Sequence, residues 1–91
     1  MEYEAWPGGD LIREGLDDLA AGRKSIPALL VAVGAPRLRR SGIDVPRRRL
    51  SGAEHRLYAL LARSDPDSAH SRYNALIRRL VSFERAIECA G

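Results

Sequence analysis

The stretch Ala69–Ile87, AHSRYNALIRRLVSFERAI, decides how this chain folds. Ala69, Tyr73, Leu76, Leu80, Phe83 and Ile87 recur at spacings of 4, 3, 4, 3 and 4, which draws one apolar seam along a helix of about five turns. Ile77 and Val81 widen the seam on one side. Arg72 and Arg79 share one flank and Arg78 and Arg85 the other, so the arginines do not form a single stripe that could follow a phosphate backbone. Such flanking positions suit long cationic stems that cover apolar contacts while their heads stay in water. Glu84 breaks the pattern. Its spacing places a carboxylate inside the apolar arc, where an uncompensated charge costs several kcal/mol. Either it stands at the rim of an interface with its head in solvent, or its partner is Arg37, Arg39 or an arginine of a second subunit.

Working back from this helix, Ser64-Asp65-Pro66-Asp67 reads as a stop and restart, with Asp65 capping and Pro66 in a first helical turn. Before it, Ser51-Gly52-Ala53-Glu54 fits a capping box, and the helix it opens runs to about Arg63. The short turn between the two predicts a C-terminal αα-hairpin. Residues 41–50 form a loop: Gly42 ends what precedes it, and Pro46 pushes Val45 into extended backbone. Ile43 and Val45 are expected to tuck onto the core. Pro36 is expected to restart the chain as a separate short helix, PRLRR.

The segment IPALLVAVGA, residues 26–35, has no polar face. With Ser25 as cap and Pro27 in the first turn, it predicts a central buried helix. A first helix starts at Leu11 behind Asp10, is weakened by Gly15 and ends at Gly22. Residues 1–9 are expected to be a flexible N-terminus. The fold expected is all-α: one small domain over 1–91, a helical bundle of four main helices plus one short helix.

Composition agrees with a globular chain, with 45% apolar and 30% charged residues. The longest apolar run is ten residues, too short to cross a bilayer, and the acidic N-terminus lacks a signal-peptide layout. The expected location is the cytoplasm, without a membrane partner. Cys89 is the only cysteine, which excludes an internal disulfide.

Charge is unevenly placed. Residues 1–20 carry six acidic side chains against Arg13, a net of −5, whereas residues 37–49 carry six arginines against Asp44, a net of +5. The second segment could grip phosphates through Arg37, Arg39, Arg40, Arg47, Arg48 and Arg49, or dock on the acidic one. No aromatic residues interleave these arginines to stack bases.

Catalytic patterns are missing. No H-x3-H or H-E-x-x-H, phosphate loop or nucleophile elbow is present, so neither a metal site, a cofactor nor a small-molecule substrate is indicated. Arg63 and His70 stand as R-x6-H, an arrangement similar to the Arg–His pair of HEPN-type ribonucleases, which are also helical. That resemblance covers these two residues alone and would imply a 2′-hydroxyl substrate and a cleft completed by a second protomer; family membership is not taken from it.

The function expected is therefore non-catalytic: a helical protein–protein interaction module that binds itself or a partner protein through Tyr73, Leu76, Leu80, Phe83, Glu84 and Ile87. The alternative is a small nucleic-acid-binding or regulatory protein that uses the arginine-rich segment 37–49.

Overall fold

Helix boundaries follow the sequence punctuation in part, and the largest departure is at Pro36. The computed structural model describes residues 3–47 and 51–90. Among these are a 3-10 turn at Tyr3–Ala5 and four α-helices: α1 (Gly9–Ala20), α2 (Ile26–Arg40), α3 (Ala53–Ser64) and α4 (Ala69–Ala90). No strand occurs among the described residues, and the chain is a compact all-α structure.

Ser25 caps α2 as its sequence suggests, accepting a hydrogen bond from the Ala28 amide at 3.2 Å. It also donates to Asp18 at 2.6 Å, which ties the end of α1 to the start of α2. That bond, followed by one from Arg23, holds the Asp18 carboxyl below the usual carboxylate range. Other caps differ from expectation. Gly8 rather than Asp10 is the N-cap of α1, and the Asp10 carboxylate instead meets Arg79 of α4 at 2.9 Å. Gly52 is the N-cap of α3, with no side-chain cap bond, so the capping box from Ser51 is not formed. Asp65 turns its carboxylate onto the Asp67 amide at 3.1 Å, and α4 begins only at Ala69.

The separate short helix expected at 36–40 does not exist, because α2 continues through Pro36. Proline removes one intrahelical bond and crowds the preceding turn. Packing outweighs this: Leu30, Gly34 and Leu38 lie at i, i+4 and i+8 on one buried stripe, and breaking the helix would lift Leu38 out of the core. Gly42, at φ +93°, then ends α2. The Gly42 amide bonds Arg39 and the Ile43 amide bonds Leu38, a left-handed stop that folds Ile43 back toward Leu38. Ile43 and Val45 are both buried. In the expected 41–50 loop, residues 43–47 are non-helical, and Arg48, Arg49 and Leu50 lie outside the described residues.

Helix α2 packs against α1, α3 and α4, and α3 packs against α4. Two helical glycines permit close approach of α1 and of α4 to α2. A Cβ on Gly15 of α1 would fall on the Pro27 carbonyl oxygen of α2, and one on Gly34 of α2 would lie 2.8 Å from the Leu80 Cδ1 of α4. In the segment 1–9, expected to be a flexible N-terminus, two side chains lie against the core: the Tyr3 ring meets Phe83 edge-on at 5.9 Å, and Trp6 packs beside the cluster. Met1 and Glu2 lie outside the described residues.

Candidate interaction surface

The α4 seam is consumed by the fold. Leu80, Phe83 and Ile87 are 4%, 0% and 6% exposed, and Glu84 is 4% exposed. These four of the six expected interface residues face inward, because α2 approaches through Gly34 and the N-terminal turn closes over Phe83. Tyr73 and Leu76 remain half-buried against the same core. Tyr73 lies 5.7 Å from Tyr58 of α3 between ring centroids. Tyr58, at 39%, is the exposed large hydrophobic residue among the described ones. Burial, then the Glu54 carboxylate, pushes the Tyr73 hydroxyl above its usual pKa.

Glu84 finds its cation within the chain. Arg37 Nη1 lies 3.4 Å from Glu84 Oε1, while Arg37 Nε and Nη2 donate to the two Glu88 oxygens at 2.7 Å each. The Arg37 guanidinium holds Glu88 below the usual carboxylate range. Burial has the opposite effect on Glu84 and raises its pKa, with Arg37 partly offsetting that cost.

This network changes the reading of the arginine segment. Arg37 is spent on Glu84 and Glu88, and Arg39 Nη2 donates to the backbone carbonyls of Val45 and Pro46 at 3.4 Å each. Both guanidiniums thus have partners within the chain. Arg40 is exposed beside a hollow of about 320 Å³ shared with Ser41, Ile87 and Glu88, where the Glu88 carboxylate opposes an anion. Arg47 is exposed, and Arg48 and Arg49 lie outside the described residues. Among the described residues, the acidic side chains of the N-terminal third that form ion pairs do so outside this segment. Asp10 pairs with Arg79, Asp17 with Arg13 and Asp18 with Arg23.

A different basic surface emerges on α3. Lys24, Arg56 and Arg63 surround a groove of about 250 Å³ whose floor is Leu29, Ala59 and Leu60. That volume is smaller than the ~300–1,000 Å³ typical of small-molecule pockets. Arg56, Ala59, Leu60 and Arg63 fall at i, i+3, i+4 and i+7, so they share one face of the helix. Lys24, before the α2 cap, and Leu29, within α2, complete the lining. Among the described residues, none of the three cations has an ion pair or hydrogen bond. Sequence reading missed this set because Lys24 and Leu29 are far from α3 along the chain. The R-x2-A-L-x2-R pattern at 56–63 was its visible half.

Arg63 therefore faces the groove, whereas the His70 Nε2 lies 3.2 Å from Asn74 Nδ2 on the exposed start of α4. No hydrogen bond or ion pair joins Arg63 to His70 among the described residues. Cys89 is exposed. No described helix is long and apolar enough to cross a membrane. No protein-family model, curated protein or solved structure matches this chain.

Proposed function

We propose that this chain is a non-catalytic helical module that binds a partner protein through the groove on α3. The observation that supports it is the trio Lys24, Arg56 and Arg63 around an apolar floor, without internal acidic partners among the described residues. Arg37, Arg39 and Arg79, by contrast, are bonded within the chain. In this proposal α3 and α4 act as a hairpin that presents the groove. An apolar floor favours a protein segment over a nucleic-acid backbone, which needs cations but gains little from Leu29 and Leu60.

The competing reading, nucleic-acid binding, keeps Arg40 and Arg47 as exposed cations and shares the groove trio. Fluorescence anisotropy separates the two. An acidic amphipathic peptide and a DNA duplex, each labelled, are titrated at about 50 and about 500 mM salt. The expected result is peptide binding that persists in part at high salt and is weakened about tenfold or more in the triple variant K24A, R56A, R63A. Duplex binding without peptide binding would overturn the proposal.

A further inference from the structure

We infer that the partner segment is an α-helix carrying two carboxylates seven residues apart with apolar residues between them. This rests on the protein-binding reading above and adds the geometry of the partner. Arg56 and Arg63 are separated by seven residues, hence by about 10.5 Å along α3 and by almost no rotation around it. Ala59 and Leu60 lie between them at the surface of the groove. A helix laid along this wall therefore meets a cation, an apolar step and a second cation in that order.

An acidic helix with the same repeat, E-x-x-A-L-x-x-E, is complementary at every step. Its carboxylates reach the two guanidiniums, and its apolar residues cover Leu60 and the Leu29 edge of the groove. Lys24 also lines the groove and adds a third positive charge. The arrangement is helix-in-groove recognition, in which apolar anchors supply affinity and charge spacing fixes register.

The occupant is not a second copy of this chain. The outward face of α1 has Asp10 and Asp17 seven residues apart, but Arg13 and Glu14 stand between them where apolar residues are needed. Asp10 is already held by Arg79, and Asp17 by Arg13. On α4 the exposed face is basic, with Arg72, Arg78, Arg79 and Arg85. The complementary helix belongs to another protein.

Two synthetic peptides of about 18 residues, long enough for partial helicity, test the inference on the full chain. One carries E-x-x-A-L-x-x-E. The other has the same composition, with one Glu moved two positions so that the pair falls on opposite helix faces. The first is expected to bind about tenfold more tightly than the second. The variant R56E, R63E, with helical content checked by circular dichroism, is expected to lose the first peptide and gain a version with Lys at both Glu positions. Equal affinity for the two Glu peptides would overturn the helical register while leaving protein binding in place. Retention of the Glu peptide by the charge-reversed variant would overturn the groove as the site. Failure of every peptide where a DNA duplex binds would overturn both readings together.

Discussion

Glu84 shows how a single residue sets the pH response. Arg37, Arg40 and Glu88 are the charged groups around it, and burial raises its pKa above the ordinary carboxylate value. The folded state thus holds the Glu84 proton more tightly than the unfolded chain does. Acidifying from neutrality toward the ordinary carboxylate range therefore adds stability through this group. Glu88 and Asp18 have the opposite sign, because hydrogen bonds from Arg37 and Ser25 respectively keep their pKa values low. Their contribution is full above the ordinary carboxylate value and is lost as pH falls through the lowered one. Urea midpoints are expected to rise from pH 7 toward about pH 5 and to fall below about pH 4. In the variant E84Q the upper limb should flatten while the lower limb remains. An upper limb unchanged in that variant would show that another group carries it. The presence of a charge inside the seam could be read from spacing, and Arg37 was one of the partners the sequence offered. Choosing among those partners required the position of α2 along α4.

At the level of elements, two glycines that local rules count as weak points are packing requirements. Gly15 and Gly34 each lower intrinsic helix propensity by about 1 kcal/mol relative to Ala. Yet a methyl group on Gly15 would strike the Pro27 carbonyl, which is backbone and cannot rotate away. On Gly34 it would press on the Leu80 side chain and the Glu84 carboxylate, whose ends can shift. G15A is therefore expected to destabilise by about 1–3 kcal/mol despite its better propensity, and G34A by less. Chemical denaturation of both variants checks the order; a stabilised G15A would mean that α1 slides freely on α2. The same competition explains Pro36. Local preference stops a helix there, but the buried stripe through Leu30, Gly34 and Leu38 carries α2 across it. The helical stripe was legible in the sequence, whereas its ability to outweigh a proline depended on the core that buries Leu38 and on the α4 side chains set against Gly34.

For the molecule as a whole, the question is whether the long apolar seam of α4 meets the chain itself or a second copy. Phe83 is fully buried within one chain, so F83A is expected to cost about 3–5 kcal/mol. The unfolding midpoint of the parent chain is expected not to change with protein concentration, since a seam satisfied internally gives no mass-action term. A midpoint that rises with concentration would place a second copy on the seam. Periodicity could establish that residues 69–87 form an amphipathic helix, that 26–35 lies in a largely buried helix and that the chain is all-α. These follow from which residues must leave water, a property of neighbours along the chain. It could not establish what covers each face. The closure of Tyr3 over Phe83, the capture of Arg37 by Glu84 and Glu88, and the meeting of Lys24 with Arg56 and Arg63 all join residues distant in sequence. Only tertiary packing decides such meetings, because they depend on the angles and separations at which helices settle once the core is filled.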